Sequence, residues 1–345
     1  MEKSKVAYAT FTGKAAEVLR KKGNPNAMTL HRLLYDSIPR PGGGFLRMPK
    51  KELGYTIVVV DEVSMVPKSM IDMLLSHKAF CIFLGDPGQL PMIDKTESHD
   101  LLDHPDVFLD QIMRQAAESE IIQLTMKIRN GETIPLTKGN EVMVIPKKEI
   151  VTGHLLWADN IICATNATRH SVNTQMRQLL GFEGELKQGE KVICKRNYWD
   201  DINEEGDALV NGTIGIVDNI FENFVCIPGY IKNDRHRIPT FGADITPDAG
   251  SKFSTVSIDK DFLLHETPCV DWRVSYQIGK LKNRIGDILP RQITYGYALT
   301  CHAAEGSEWD KVLVLEEDFP FSRDEHKRWL YTAATRASEK LVLLR

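Results

Sequence analysis

The residues with the clearest chemical potential are two adjacent carboxylates at the end of a β-forming run. Tyr55-Thr56-Ile57-Val58-Val59-Val60 leads directly into Asp61-Glu62. An aspartate at a strand end can hold Mg²⁺ through water, and the glutamate beside it can orient or deprotonate an attacking water. A second apolar run, Phe80-Cys81-Ile82-Phe83-Leu84, ends in Gly85-Asp86-Pro87-Gly88-Gln89-Leu90-Pro91. The glycines and proline of that segment shape a tight loop, and Gln89 has both a donor and an acceptor for sensing a terminal phosphate. Acidic residues at the ends of adjacent strands are what a nucleotide site in an open parallel sheet requires. Near the other end, Trp329-Leu330-Tyr331-Thr332-Ala333-Ala334-Thr335-Arg336 sets an arginine at the end of a helix and before a strand, where an arginine could reach a γ-phosphate across a domain cleft. Each signal has a plainer reading on its own: Asp-Glu can cap a helix, Asp-Pro-Gly can be an ordinary turn, and a lone arginine is more often in a surface ion pair.

The elements that must position these groups follow from pattern and punctuation. Lys5–Thr10 reads as a short strand, and Thr12-Gly13-Lys14 opens a helix from Ala15 to Lys22, closed by Gly23-Asn24-Pro25. A short helix is expected over Thr29–Tyr35 with Thr29 as N-cap, then a loop or hairpin tip at 39–44. Strand 55–60, a helix starting near Pro67 and strand 80–84 form a parallel βαβ unit. Further helices are expected at Glu118–Asn130 and Ala167–Leu180, with a strand at Asn160–Ala164 between them. From about 185 to 290 the texture changes to short alternating runs (Lys191–Lys195, Thr213–Val217, Asn223–Ile227, Lys252–Ile258, Trp272–Ile278), β-rich and barrel-like. The α/β pattern returns with strand Lys311–Leu315, helix Glu325–Ala334 and strand Lys340–Leu344. The simplest organisation is two α/β domains, the second interrupted by a small β domain.

Bulk properties bound the class. The 345 residues are 42% hydrophobic and 26% charged, ordinary for a globular protein with room for two or three cores. No apolar stretch approaches the roughly 20 residues of a membrane helix. The opening Met1-Glu2-Lys3-Ser4-Lys5 lacks a signal-peptide apolar region. Six cysteines stand singly with no C-x-x-C pair, which argues against a zinc site or disulfide framework and fits a reducing cytoplasm. The net charge is −4, but residues 1–50 hold ten Lys/Arg against three Asp/Glu, a local +7 that leaves −11 for the rest. A basic surface on an acidic protein can still track a phosphate backbone. A solvated helix face around Arg20-Lys21-Lys22 is the plainer account of part of that excess.

Taken together in chain order, these segments resemble superfamily 1 DNA helicases, and within them the RecD-like and Dda-like branch that moves 5′ to 3′. Thr12-Gly13-Lys14-Ala15-Ala16 and Thr29-Leu30-His31-Arg32-Leu33-Leu34 look like motifs Ia and Ib, which contact single-stranded DNA. Asp61-Glu62-Val63-Ser64-Met65 looks like motif II, and Gly85 to Pro91 like motif III. Met113-Arg114-Gln115 followed by Ser119-Glu120-Ile121 resembles motif IV, whose arginine contacts phosphate. Val210 to Gly215 resembles the Asn-Gly turn of the inserted β-barrel. Tyr295 through Asp310 resembles motif V, and Tyr331 to Arg336 motif VI.

The resemblance implies an α/β fold with two RecA-like P-loop NTPase motor domains, the first truncated at its N-terminus, and a small β-barrel inserted in the second. It divides the chain at 1–109, 110–190, 191–290 and 291–345. It implies ATP and Mg²⁺ as cofactors. Asp61 (the metal, through water), Glu62, Gln89, Arg114 and Arg336 would be catalytic, and Gly85, Asp86, Gly306 and Glu308 would join them around the nucleotide. Phe11, Thr12, Gly13, Lys14, Thr29, His31, Arg32, Thr300 and His302 would contact DNA, single-stranded or duplex. Thr29 and the histidines each have a structural alternative, as an N-cap or as satisfied core groups. Phe11, Trp309 and Tyr297 are candidates to stack on bases. Replication or recombination proteins are the partners such a helicase implies, in a cytoplasmic setting.

Departures from the pattern are informative. Phe11 stands where motif Ia usually has proline. Motif V usually reads His-Lys-x-Gln-Gly, whereas this chain has His302-Ala303-Ala304-Glu305-Gly306. Ala303 removes a cation, and a charged Glu305 facing phosphate would oppose binding. No G-x-x-x-x-G-K-[ST] occurs in the sequence, and Met1 lies four residues before the expected strand at Lys5. Gly13-Lys14 is a poor substitute, because the preceding glycine is missing and Ala15 replaces the Mg²⁺-binding hydroxyl. The expectation is therefore a helicase body lacking its phosphate loop. The alternatives are a non-catalytic single-stranded-DNA-binding remnant and a subunit completed by another polypeptide.

Overall fold

The structure, a computed structural model, describes residues 6–39, 45–92, 94–109, 118–205, 207–226, 237–248, 250–269, 289–317 and 322–345. The chain divides into two compact units. The first, residues 1–30, 53–180 and 297–345, contains two parallel sheets.

In the first sheet, β1 (Val6–Thr10) lies between β2 (Met28–Thr29) and β5 (Ile57–Asp61), and β6 (Phe80–Phe83) forms the far edge. All pairings are parallel. The β-branched run Ile57-Val58-Val59-Val60 suits a pleated strand, and Val58 and Val60 are fully buried. Helix α1 (Gly13–Lys21) starts where Thr12 accepts the Ala15 N–H at 3.2 Å, an N-cap satisfying one orphan donor.

The second sheet runs β17 (Ala298–Thr300), β9 (Asn160–Cys163), β18 (Trp309–Leu315), β19 (Ala337–Leu344), β8 (Val142–Ile145) and β7 (Thr137–Lys138). Only β7 is antiparallel. Ile161, Ile162, Val312, Leu313, Val314, Leu343 and Leu344 form its buried centre, the continuous apolar reading expected of strands covered on both faces. Three longer helices accompany it: Glu120–Asn130, Asn166–Leu179 and Arg323–Ala334. The last begins in a capping box, with Ser322 and Glu325 bonding each other's backbone N–H. Asn173 accepts the Ala298 N–H at 2.9 Å and donates to its carbonyl at 3.2 Å, fixing the second helix on β17.

The second unit comprises residues 31–52 and 181–296. Its centre is an antiparallel sheet in the order β15 (Phe253–Asp259), β14 (Arg237–Pro247), β13 (Ile214–Cys226), β10 (Lys191–Cys194) and β16 (Ile293–Tyr295). Strands β3 (Tyr35–Pro39) and β4 (Phe45–Pro49) pair antiparallel, and residues 40–44, the expected loop or hairpin tip, lie outside the described residues.

Several expectations shift. The helix expected to Tyr35 ends at Leu34, because Tyr35 opens β3 and pairs with Pro49. Ile214–Val217 and Asn223–Cys226 belong to one strand, β13, which pairs with β14 through a register shift between Val217 and Asn219, while Ile227 lies outside the described residues. Trp272–Ile278 lies outside the described residues, as do Met113, Arg114 and Gln115.

Candidate nucleotide site

Asp61 closes β5, and its carboxylate accepts the Glu62 N–H at 3.0 Å. Glu62 then takes a left-handed backbone, φ 55° and ψ 48°. For a residue with a Cβ this costs of order 1–3 kcal/mol, and such strain collects at functional sites. The turn is pinned across the sheet: Val63 N–H donates to Leu84 O at 2.9 Å and Leu84 N–H to Val60 O at 2.8 Å. Glu62 is thereby set among Asp61, Asp86 and Arg336. Partial burial pushes its pKa up; Arg336 opposes that, and the two aspartates reinforce it. A carboxylate biased toward holding a proton is suited to general-base work near neutral pH.

The loop after β6 folds on Asp86, whose Oδ1 accepts the Gly88 N–H at 2.8 Å. Gly85 sits at the tight start, where an added Cβ would lie 2.9 Å from Val63. The loop is also held from helix Arg323–Ala334. Tyr331 donates its hydroxyl to Asp86 Oδ2 at 2.6 Å, and the Leu90 N–H donates to Thr332 Oγ1 at 2.8 Å. Gln89 stands between these two anchors and lines a cavity of about 50 Å³ with Ser64, Asp86, His99 and Arg328. Arg129, from helix Glu120–Asn130, faces Asp86 at 3.6 Å, with its guanidinium carbon 5.9 Å from the centre of the Tyr331 ring. Burial, with the bond to Asp86, pushes the Tyr331 hydroxyl up to about 12.

Arg336 is buried just beyond the same helix. Its guanidinium donates to Thr332 O (3.0 Å), Ser307 O (3.3 Å) and Thr335 Oγ1 (3.0 Å). Its charge acts on both Glu62 and Glu305. Glu305 is also buried, and neither oxygen has a hydrogen-bond partner among the described residues. Burial pushes its pKa up to about 8, with Arg336 opposing and Glu62 adding. Burial thus biases the Glu305 carboxyl toward its neutral form, because the interior disfavours the ion. Gly306 follows at φ 71°, and a Cβ there would lie 3.2 Å from Ala15. Only glycine combines that backbone with that approach to α1. Glu308 is exposed.

The structure therefore gathers Asp61, Glu62, Gly85, Asp86, Gln89 and Arg336, with Gly306 beside α1, while Arg114 lies outside the described residues. Reasoning from sequence missed Arg129 and gave Tyr331 and Thr332 no separate role. Their position inside the same octapeptide as Arg336 was the available signal.

Among the remaining candidates, Phe11 is half-buried, Thr12 caps α1, and Gly13 and Thr29 are buried. Lys14 lies 3.6 Å from Glu17. Thr300 precedes the short helix Cys301–Ala304, whose His302 has its pKa lowered by burial and donates a ring N–H to the Pro91 carbonyl. In the second unit, the His31 ring stacks 6.2 Å from Tyr35, and Arg32 is exposed. Tyr297 is buried and packs rather than offering a face, whereas Trp309 is half-buried.

Mg²⁺ keeps several waters and takes one or two carboxylates plus substrate phosphates. A single strand-end aspartate fits that donor set, and among the described residues no cluster of three His, Cys, Asp or Glu forms an all-protein metal cage.

Residues 1–144 match the family described as AAA domain, and residues 295–344 match the UvrD-like helicase C-terminal domain. The ATP-dependent RecD2 DNA helicase of Deinococcus radiodurans is 26% identical over 97% of this chain, which spans 42% of that protein's length. The fold is similar to the Pif1 helicase from Bacteroides solved with ADP-AlF3 and single-stranded DNA: TM-score 0.55, 18% identity, 99% of this chain and 83% of that one. Pif1 helicase from Candida albicans aligns with a TM-score of 0.52 at 16% identity, covering 99% of this chain and 90% of that one. The fold is thus similar to that of Pif1 helicases, and the sequence is similar over most of its length to part of a RecD2 helicase.

Proposed function

We propose that this chain is the body of an ATP-dependent DNA helicase that moves along single-stranded DNA, 5′ to 3′, and separates duplex. One observation carries the reading: Asp61-Glu62, Gly85–Gln89 and Arg336, far apart in sequence, converge in one compact unit with their charges mutually coupled. The two parallel sheets act as RecA-like motor domains, the antiparallel sheet as the inserted β-barrel, and the domain limits are 109, 190 and 290. Mg²⁺ bound with the nucleotide would neutralise phosphate charge and orient it. Glu62 positions and deprotonates the attacking water, Gln89 reports on the terminal phosphate, and Arg336 offers positive charge once released from its backbone acceptors. Thr12, Lys14, His31, Arg32, Thr300 and His302 hold the DNA strand, and replication or recombination proteins are the proposed partners.

The test is ATP hydrolysis by the purified protein with and without single-stranded DNA. DNA-stimulated turnover, reduced by about two orders of magnitude or more in Glu62→Gln, is the expected result. Salt-sensitive DNA binding without any hydrolysis, indifferent to Glu62→Gln, would instead establish a non-catalytic DNA-binding helicase remnant. That second reading is favoured by Ala303 in place of the usual lysine.

A further inference from the structure

Glu305 is a buried acid for which the proposed reaction has no use. It follows the short helix Cys301–Ala304 and is 8% exposed. Neither of its oxygens has a hydrogen-bond partner among the described residues. A carboxylate taken out of water must recover that solvation from donors or a cation, or else hold a proton. Two charged side chains act on it from other elements: Arg336, past the end of helix Arg323–Ala334, and Glu62, in the left-handed turn after β5. On its own helix stand the Cys301 thiol, which feels Glu305, and His302, which is bonded to the Pro91 carbonyl. Helix α1 approaches the next residue, Gly306, with Thr12 and Ala15, neither of them charged. Arg336 is thus the cation to which an ionised Glu305 would turn.

One turn brings the two groups together. The Ser307 N–H donates to the Ala304 carbonyl at 3.1 Å, with Glu305 at φ −61° and ψ 142° and Gly306 at φ 71°. This is the pattern of a type II turn, whose second central position needs a positive φ. Arg336 donates to the carbonyl of Ser307, the last residue of the same turn, at 3.3 Å. Its other bonds go to the Thr332 carbonyl and the Thr335 hydroxyl, both at 3.0 Å. All three acceptors are uncharged. A carboxylate accepts from a guanidinium more strongly than a neutral oxygen does, and often through two parallel bonds. An ionised Glu305 therefore outcompetes them. The pair carries a net positive charge while Glu305 is neutral and none once it is ionised. Weak screening in the interior makes that difference large for an approaching phosphate.

We propose that Glu305 is a positioning residue for Arg336. Holding its proton, it leaves the guanidinium on uncharged acceptors, free to turn toward a terminal phosphate. Losing the proton to solvent, it takes the guanidinium into an ion pair and withdraws it from the phosphate. Burial, which pushes the Glu305 pKa up to about 8, sets the pH range in which the exchange falls. Glutamine, the usual residue at this place in the motif that the segment resembles, does not ionise, so the control belongs to this chain. This deepens the nucleotide-site reading and rests on it for the phosphate, whereas the exchange of partners between Glu305 and Arg336 does not.

The test follows the NMR signal of the Arg336 guanidinium carbon in the full 345-residue chain, assigned by its loss in Arg336→Lys. The pH is varied from about 6.5 to about 9.5, a window that brackets the exchange. In the parent the signal should shift along a single titration with its midpoint at about 8. In Glu305→Gln and Glu305→Ala it should stay in place; two neutral variants keep the comparison if one of them folds poorly. ATP hydrolysis with single-stranded DNA is read over the same range. With the midpoint at about 8, the neutral fraction of Glu305 falls about tenfold between about pH 7 and about pH 9. The parent rate should fall by about that factor more than the rate of Glu305→Gln does.

A titrating Arg336 signal with no hydrolysis at any pH would uphold the exchange of partners and sink the nucleotide reading instead. An Arg336 signal that stays fixed in the parent would overturn the proposal. So would a titration that persists in the neutral variants, or a fall in rate that parent and Glu305→Gln share equally.

Discussion

At the scale of single residues, burial changes what a side chain is. Glu305 occupies the position of an amide in the resemblance, and burial, which pushes its pKa up to about 8, favours the neutral carboxyl below that pH. In the unfolded chain its carboxyl ionises near pH 4.5, so the folded state binds more protons between about 4.5 and 8. Stability from this group is fully present below the unfolded pKa and is lost as pH rises toward 8. Glu305→Gln should therefore leave thermal stability unchanged near pH 4.5. By pH 8 it should gain on the order of a few kcal/mol over the parent; a difference that stays flat with pH would show that the carboxyl is not carried neutral. Asp86 and Tyr331 make a second residue-scale case. Their short bond has an ionised acceptor, which strengthens it relative to a neutral pair. Asp86→Asn and Tyr331→Phe should each cost about 1–2 kcal/mol in urea unfolding, and the double variant should fall short of the sum by about 1 kcal/mol. Strict additivity would mean that the bond does not tie the loop to the helix.

At the scale of elements, the parts legible in sequence were those with a local cause. Strand-end carboxylates, the Pro67 helix start and the Gly23-Asn24-Pro25 stop all declared themselves through neighbours only a few residues away. Others had no local signature. β2 and β7 are two residues long and β17 is three, too short for a period to show. β13 reads as two runs because Asp218, Asn219, Glu222 and Asn223 interrupt its alternation, and only β14 alongside makes it one strand. The contacts of Asp86 with Tyr331 and of Leu90 with Thr332 span more than 240 residues, so no spacing rule announces them. Within the antiparallel sheet, Gly215 marks a close approach of β14: a Cβ there would lie 2.6 Å from the Thr246 carbonyl oxygen and 3.0 Å from Pro247 Cα. Backbone on both sides cannot swing away as a side chain can. Gly215→Ala should cost about 1–3 kcal/mol through overpacking, seen as a lower melting temperature and faster exchange of β13 amides. An unchanged melting temperature would show that the two strands separate easily there.

At the scale of the whole molecule, the proposed function asks how a protein with a net charge of −4 would hold a polyanion. The first fifty residues carry +7, but the structure assigns part of that charge to internal duties. Arg20 donates to the Ala27 carbonyl, Lys21 pairs with Glu17 at 2.6 Å, and Lys50 donates to the Arg32 carbonyl. The basic excess is thus smaller at the surface than in the composition, and the proposed DNA binding should use only a modest number of phosphate contacts. For single strands, log affinity falls with log salt at a slope of about −0.7 per phosphate neutralised. With about three such contacts, affinity for oligo-dT should fall roughly twentyfold between 50 and 200 mM salt. Lys14→Ala and Arg32→Ala should each weaken binding at low salt and make the slope shallower by about 0.7, whereas Lys21→Ala should leave the slope alone. Fluorescence anisotropy across a salt series measures all three. If the slope proves insensitive to Lys14 and Arg32 but falls on removing Lys21, the strand follows another surface and the helix-face charges are the ones that hold it.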